Sequence, residues 1–383
     1  ARKLPATTVE ALARGGMLTL CLPQPYGGPG ADPLTFVEAI EVVAHGDGAA
    51  GWATMIGSTT SSMAAYLDEA TAREIYPSTA AKTCGVFAPN GIAVRRDDGY
   101  RVSGRWQWGS GSQHSTWIMG GVTCDDGTQR SCFFPADRVE FHDTWYTSGL
   151  RGTGSLDYSV DDVFVPERMT IQPGVSKPRI HAPSTHFPNF TLLAIGVAAA
   201  SVGIARNALD ELVVIAADKR PQFSSKTLAS SAYAQTELAR AESRWRAARA
   251  YLHDEVGRAW EIAVAGDPVP VSSRVGMRLA AAHAASSCAE VADTAFTVAG
   301  GSAVYDTSVL GRCLRDAHVV TQHIMVAPKL NEVLGKFLMG VDFDARILLA
   351  LPRHAERARA LGLPLAAWTV NTVPMAERLL ELG

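Results

Sequence analysis

The order in which secondary-structure patterns follow one another is the feature that most limits the folds open to this chain. Residues 1–80 show apolar residues at helical spacing, residues 81–175 change to short strand-like runs between turn signals, and residues 176–347 return to long helical patterns. Helices, then a small β region, then a four-helix bundle is an uncommon order. We therefore predict a mainly α protein with a central β-barrel, made of an N-terminal helical domain, a middle β domain and a C-terminal four-helix bundle.

The C-terminal region is predicted to contain four long helices. Its helical stretches are rich in Ala, Leu, Glu and Arg, which lose little side-chain freedom in a helix. Pro268 and Pro270 break the second helix from the third, and Gly300-Gly301 ends the third. The expected helices cover residues 191–217, 227–265, 272–299 and 314–339.

Residues 348–383 do not continue this pattern. Residues from about 351 to 383, including the run from Arg359 to Asn371, resemble the closing βα unit of a glycerophosphodiester phosphodiesterase barrel. One such unit cannot close a barrel. We therefore expect an appended tail without an activity of its own.

The composition limits the kinds of partner. The 383 residues are 47% hydrophobic and 19% charged, with a formal net charge of −3. This balance provides no positive field for nucleic acid or an anionic membrane, and apolar runs such as residues 190–200 are too short to span a bilayer. We expect no nucleic acid, no membrane and a cytoplasmic location, since no secretory signal opens the chain. Because the first residue is not Met, we expect further residues before Ala1.

The cysteines and histidines give no sign of a metal. The six cysteines are scattered, without a Cys-x-x-Cys pair or a histidine at ligand spacing. We interpret them as reduced thiols in the core and predict no metal site.

Five short motifs carry the functional signal. Any one of them is weak, because short glycine-containing motifs recur by chance, but five in this order over most of the chain are specific. They are Pro23-x-x-x-Gly27-Gly28 followed by Gly51-Trp52; the run from Gly104-Arg105-Trp106 to Ser110-Gly111-Ser112-Gln113-His114 with Trp117; Gly149-Leu150-Arg151-Gly152-Thr153-Gly154-Ser155 with Asp162 to Pro166; Arg220-x-x-Phe223; and Gly300-Gly301-Ser302 with Arg315-Asp316-Ala317-His318 and His323.

On these motifs, residues 4–347 resemble the acyl-CoA dehydrogenase superfamily, and within it the flavin-dependent monooxygenases. That group includes the oxygenase components of two-component phenol hydroxylases and relatives that act on polyketides, indoles and amino sugars. The resemblance implies an acyl-CoA dehydrogenase-like fold, a homotetramer, and reduced FAD or FMN with O2 as cofactors. It also implies a separate NAD(P)H:flavin reductase, since the chain has no Gly-x-Gly-x-x-Gly nicotinamide-binding unit.

The resemblance further implies a set of flavin contacts. Ser110 would lie near N5 and C4a of the ring, where its hydroxyl would hydrogen-bond the N5 proton that a C4a-hydroperoxide needs to persist. A serine required only for the geometry of a turn is the alternative. The implied cofactor-binding residues are Trp106, Trp108, Ser110, Ser112, Arg151, Thr153, Ser155, Arg220, Phe223, Gly300, Gly301 and Ser302.

Arg220 bears on the choice between FAD and FMN. The resemblance implies that its guanidinium reaches a flavin pyrophosphate across a subunit interface. Ser224 stands where the dehydrogenases have a glycine, so an ordinary exposed arginine at a helix end is equally open. The glycines at 300 and 301 allow close backbone approach to the cofactor or simply cap a helix. FAD and FMN both stay open.

His323 is the predicted catalytic residue of the last helix, together with Ser110. Acyl-CoA dehydrogenases use a carboxylate to take the substrate α-proton, but residues 317–325 contain no acid. The phenol hydroxylases have a histidine at the position of His323. Imidazole titrates near neutrality, so it can deprotonate a phenol and return a proton. A purely structural histidine is the alternative.

Trp52, Thr60 and His318 are implied as substrate-binding residues. His318 matches the hydroxylases but could equally be structural. Thr60 falls where the secosteroid-type enzymes carry a histidine, and this departure leaves the exact substrate open.

We therefore predict a flavin-dependent monooxygenase that hydroxylates a small aromatic substrate, phenolic, polyketide or indole-type, through a flavin C4a-hydroperoxide. The alternatives are an acyl-CoA dehydrogenase with its base elsewhere, an amine or amino-sugar N-oxygenase on the same scaffold, and a non-catalytic flavin-fold protein.

Overall fold

The N-terminal region is helical in the computed structural model, which describes residues 2–341. Its helices are α1 (Ala6–Arg14), α2 (Pro33–Gly46), α3 (Gly48–Ser62) and α4 (Glu69–Ile75). Gly51 lets α3 approach α2, because a Cβ there would lie 2.4 Å from the Cβ of Ala44. This contact fixes the position of the next residue, Trp52. The tail predicted at residues 348–383 lies outside the described residues.

The middle region forms one open sheet of seven strands, in the order β5-β6-β2-β1-β3-β4-β7. The strands are β1 (Thr83–Arg96), β2 (Gly99–Gly109), β3 (Trp117–Cys124), β4 (Gln129–Pro135), β5 (Glu140–His142), β6 (Leu156–Pro166) and β7 (Thr170–Ile171). The predicted barrel is not confirmed. Its closure would need the edge strands to pair with each other. Strand β5 has three residues and β7 two, and within residues 2–341 they pair only with β6 and β4 respectively.

The C-terminal region is helical, with one departure from the prediction. Its helices are α5 (Asn189–Asp218), α6 (Ala232–Val264), α7 (Val271–Ala299), α8 (Val309–Val320) and α9 (Leu330–Leu338). The fourth predicted helix is therefore two helices, joined by a non-helical segment at residues 321–329. Pro328 lies in that segment and lacks the N–H that would continue the helical hydrogen-bond ladder.

Helix α5 is the centre of the bundle. It is long and apolar enough to cross a membrane by length and composition, yet 89% of its apolar window is buried inside the protein. The unbroken apolar run at residues 190–200 covers only part of this apolar helix, so the sequence prediction underestimated the length of its apolar stretch. Small side chains such as Ala198 and Ala199 let α2 and α7 pack closely against it.

A buried carboxylate connects the sheet region to the bundle. Asp316 of α8 accepts a hydrogen bond from the backbone N–H of Leu150, over 2.5 Å. The backbones touch here, because a Cβ on Gly149 would lie 2.2 Å from the carbonyl oxygen of Arg315. Burial raises the pKa of Asp316 from its ordinary 3.8 to about 6. The segment from Leu150 to Ser155 is thereby held against α8.

Asp316→Asn keeps an oxygen acceptor for Leu150 and removes the buried charge. A carboxyl whose pKa is raised in the folded state stabilises the fold most below its unfolded pKa, and this stability is lost as the pH rises through 6. Lowering the pH from 7.5 to 5 should therefore stabilise the wild type relative to the variant by about 1 kcal/mol. Urea unfolding at both pH values measures the difference.

Asp137→Asn serves as the control, since this carboxylate is exposed and has no hydrogen bond or ion pair within residues 2–341. Its pH dependence should run parallel to that of the wild type. If Asp316→Asn also runs parallel, the buried carboxylate does not titrate as described.

Candidate active site

The indole of Trp52 lies between the two residues predicted to be catalytic. Its Nε1 donates to Oγ of Ser110 over 3.0 Å. Its ring meets the imidazole of His323 edge to face, with centroids 5.4 Å apart and planes at 75°. Trp52 is 6% exposed. One side chain from α3 thus contacts both the end of β2 and the segment after α8.

Two left-handed residues shape the turn that carries Ser110. Trp108 has a φ of +64° and Gly111 a φ of +81°. The first is uncommon for a large side chain, and it leaves the indole of Trp108 68% exposed. The Ser110 side chain is instead buried. The turn therefore offers a flat apolar surface beside a buried hydroxyl.

A chain of hydroxyls fixes which way the Ser110 proton points. Ser110 Oγ lies 2.7 Å from Oγ of Ser155, which lies 2.7 Å from Oγ1 of Thr153. Thr153 donates to the carbonyl of Leu150 over 2.8 Å, so it must accept from Ser155. Ser155 must then accept from Ser110, because each hydroxyl has a single proton. With its proton used and one lone pair taken by Trp52, Ser110 has one lone pair left as an acceptor.

His323 lies on the non-helical segment after α8, where its Nδ1 accepts the backbone N–H of Met325 over 3.3 Å. This bond assigns the remaining proton of the neutral ring to Nε2. Burial, and secondarily the charge of Arg278, lowers the pKa of His323 to about 4. The imidazole is therefore neutral at pH 7 and presents a hydrogen-bond donor.

This geometry differs from the expectation for His323 in two respects. The residue is on a turn rather than a helix, and its low pKa does not support a base that titrates near neutrality. The physical reason is that desolvation penalises the charged imidazolium.

Arg278 and Met325 belong to the same cluster, and the sequence did not reveal them. Arg278 of α7 is 1% exposed, and its Nη1 donates to Sδ of Met325 over 2.9 Å. An arginine in an Ala-rich helix looks like an exposed residue from sequence alone. Asp316 stood in a quoted motif, but nothing marked it as buried.

A second group of predicted residues lies together elsewhere. Lys219 donates its Nζ to the carbonyl of Ala299, which brings the loop with Arg220 and Phe223 against the turn at Gly300. Phe223 is fully exposed, and Gly300 has a φ of +60°. Among residues 2–341, no hydrogen bond, ion pair or ring contact joins Arg220 or Phe223 to the Trp52 cluster.

Three predicted contacts are not supported by side-chain placement. The indole of Trp106 is fully buried in the sheet, stacked on Tyr158 and bonded to the carbonyl of Gly121. His318 lies on the surface and pairs with Asp293 at 2.9 Å. The hydroxyl of Thr60 donates to the carbonyl of Ile56 within α3, a bond that satisfies its only proton.

The donor set fits a flavin. Ser110 offers an acceptor for a ring N–H, and Trp108 an exposed flat surface. The buried Ser112 Oγ lacks a partner in the described chain. Arg151 and Arg220 are exposed and form no ion pair within residues 2–341, so they are free to meet phosphate oxygens. The same residues contain no group of three or more His, Cys, Asp or Glu able to hold a metal.

Family models match at both ends of the chain. The acyl-CoA dehydrogenase N-terminal domain matches residues 1–83, and the acyl-CoA dehydrogenase C-terminal domain matches residues 195–328. These matches agree with the fold described above.

Characterised proteins narrow the family. The chain is 34% identical to indole-3-acetate monooxygenase of Pseudomonas putida, over 88% of both chains. It is 30% identical to the flavin-dependent monooxygenase oxygenase subunit HsaA of Rhodococcus jostii, over 87% of this chain and 91% of that one. The structure of XiaF from Streptomyces sp., in complex with FADH2 and glycerol, aligns with a TM-score of 0.83 and 26% identity over 89% of this chain and 90% of the other. With this fold and these relatives, the chain belongs to the flavin-dependent monooxygenases of the acyl-CoA dehydrogenase superfamily.

Proposed function

We propose that this chain is the oxygenase component of a two-component monooxygenase, and that it hydroxylates a small aromatic substrate with reduced FAD or FMN and O2. The observation that carries the proposal is the Trp52 cluster, in which one buried indole contacts an oriented hydroxyl, Ser110, and a neutral imidazole, His323. A relative named for an aromatic substrate, indole-3-acetate monooxygenase, supports the substrate class.

Ser110 would act as the acceptor for the flavin. When bound, reduced flavin supplies two electrons, so that one atom of O2 enters the aromatic ring of the substrate and the other leaves as water. The hydroxyl chain leaves Ser110 with a free lone pair, which suits the N5–H that only reduced flavin carries. The directed chain makes Ser110 selective for that redox state.

His323 would act on the substrate as a hydrogen-bond donor. Its Nε2–H can bind the oxygen of a phenol and stabilise negative charge that develops there while the ring is attacked. Because the ring stays neutral down to about pH 4, this donor does not depend on pH near neutrality.

The acyl-CoA dehydrogenase alternative is not favoured. That reaction needs a free carboxylate to take an α-proton, whereas the buried carboxylate of α8, Asp316, accepts the N–H of Leu150. An amine or amino-sugar N-oxygenase and a non-catalytic flavin-fold protein are the remaining alternatives, and no contact of the cluster favours either.

The second group of residues would complete the flavin site of a neighbouring copy. Arg220 is exposed and lacks an acidic partner in the described chain, and the adjacent Phe223 side chain is fully exposed. Both properties suit a cofactor phosphate and an interface. We accordingly propose a homotetramer, served by a separate NAD(P)H:flavin reductase. The domain boundaries near residues 80, 175 and 347 and a cytoplasmic location are part of the same proposal.

The function is tested by coupling the protein to a flavin reductase with NADH, FAD or FMN, and a panel of phenols and indoles. Wild type should give a hydroxylated product carrying one oxygen atom from labelled O2. His323→Ala should lower turnover roughly 100-fold, as the loss of one preorganised donor does, and release H2O2 instead of product. His323→Asn keeps an N–H and should retain more activity.

His318→Ala is the matched control, since this histidine is exposed and should leave turnover unchanged. The turnover of wild type and His323→Asn should vary in the same way between pH 5.5 and 8. A wild-type inflection near pH 6.5 that His323→Asn abolishes would instead show a base near neutrality. No product from any panel member would argue against the function itself.

Ser155→Ala tests the hydroxyl chain. The substitution frees the Ser110 proton to donate instead of being directed away, so the preference for reduced flavin over oxidised flavin should fall roughly tenfold, equivalent to about one hydrogen bond. Anaerobic titration with both redox states measures the two Kd values. Ser115→Ala removes a buried hydroxyl that donates to the carbonyl of Gly111 and should change both Kd values equally. Unchanged selectivity in Ser155→Ala would rule out the directed chain.

Mixing variants tests the shared site. Ser110→Ala and Arg220→Ala should each be impaired at limiting flavin, yet co-expression should restore roughly a quarter of the sites, because a site formed by two copies can draw an intact residue from each. Co-expression of the Ser110→Ala variant with the His323→Ala variant should give no recovery of activity, since one copy supplies both residues of a site. Absence of recovery in the first pair would rule out a site that draws Ser110 and Arg220 from different copies.

A further inference from the structure

Arg278 is a buried cation without a counter-charge. It is 1% exposed, and no carboxylate lies within ion-pair distance of it anywhere in residues 2–341. An unpaired charge inside a protein is strongly destabilising. Burial lowers the pKa of Arg278 only to about 10, so the guanidinium is charged at pH 7. We therefore expect this destabilising group to have a function.

Three partly buried arginines of the bundle have oxygen acceptors that Arg278 lacks. Arg249 donates to Glu41 over 2.8 Å, and Arg206 meets Asp210 and Glu242 at 2.6 Å each. Arg274, one turn before Arg278 on α7, donates its Nε to the carbonyl of Val269 over 2.9 Å. Within the described chain, Arg278 has only a thioether as its acceptor.

The free edge of this guanidinium has the form that a carboxylate fits. Nη1 is bound to Met325, whereas Nε is buried without a partner and Nη2 makes no hydrogen bond within residues 2–341. Two adjacent N–H groups match the two oxygens of a carboxylate, and they exceed what a single phenolate oxygen needs.

Arg278 is also close to the candidate active site. Met325, which it contacts, donates its backbone N–H to His323, and the charge of Arg278 acts on that imidazole. His323 in turn packs on Trp52. The unpaired cation therefore lies beside the ring that is proposed to bind the substrate.

We propose that Arg278 binds the carboxylate of the substrate, and that the substrate class is small aromatic acids whose ring reaches His323. This rests on the proposed function, since it assumes an aromatic substrate at the Trp52 cluster. The carboxylate takes the Nε and Nη2 edge of the guanidinium, while Nη1 keeps its contact with Met325.

The test is binding of aromatic acids to the full chain, without flavin, by calorimetry. The probes are indole-3-acetate and 4-hydroxyphenylacetate, each beside its neutral primary amide. Wild type should bind at least one acid more tightly than its amide. Arg278→Met removes the charge at similar volume and should weaken acid binding roughly 30-fold, the contribution of a charged hydrogen-bonded pair, with less than about threefold effect on the amide. Arg278→Lys keeps the charge but loses the fork and should fall between.

Arg274→Met is the matched control and should leave the binding of both the acid and the amide probes unchanged. Equal losses for acid and amide would assign Arg278 a purely structural role, and failure of wild type to prefer any acid would overturn the proposal. If Arg278→Met does not fold, acid binding intermediate in Arg278→Lys supports the proposal and unchanged binding opposes it. Coupled turnover separates the two ideas. Hydroxylation of neutral phenols without preference for acids would support the proposed function and contradict the role of Arg278. Acid binding that depends on Arg278, without any hydroxylated product, would support the role of Arg278 and contradict the proposed function.

Discussion

The contact between the Trp52 indole and its two neighbours is the interaction on which the candidate site depends. The indole uses its one polar atom on Ser110 and its ring on His323, so it sets the spacing between a hydroxyl from the sheet and an imidazole from the bundle. Its own position follows from Gly51, where only a glycine lets α3 approach α2. The close contact between Gly51 and Ala44 thus positions Trp52, and through it the cluster with Ser110 and His323.

Asp316 performs the complementary task on the other side. By accepting the N–H of Leu150, it holds the segment from Leu150 to Ser155 against α8. That segment also supplies Thr153 and the carbonyl at which the hydroxyl chain ends. The carbonyl that sets the direction of the Ser110 proton therefore belongs to a residue that Asp316 holds in place. Electrostatics, turn geometry and hydrogen bonding act on one short stretch of chain.

The sequence predicted the helix–sheet–helix order well, because periodicity and turn residues are local properties. Resemblance found Ser110, Trp52 and His323 through their motifs, and the structure brings these three together. It did not find Arg278, whose burial depends on how α7 packs. Nor did it foresee the open sheet, since closure depends on strand edges, or the break after α8. The low pKa of His323 likewise arises from desolvation, which no motif encodes.

The one-way hydroxyl chain has a consequence for how this site tolerates change. Each hydroxyl donates its single proton to the next oxygen in the chain. Serine and threonine are therefore interchangeable at 153 and 155 as hydrogen-bonding groups. An alanine or valine ends the relay, whereas an asparagine, which brings both donors and an acceptor, could reverse it. If Ser110 accepts from reduced flavin as proposed, a substitution at 153 or 155 would change the redox preference of the cofactor site without contacting the cofactor.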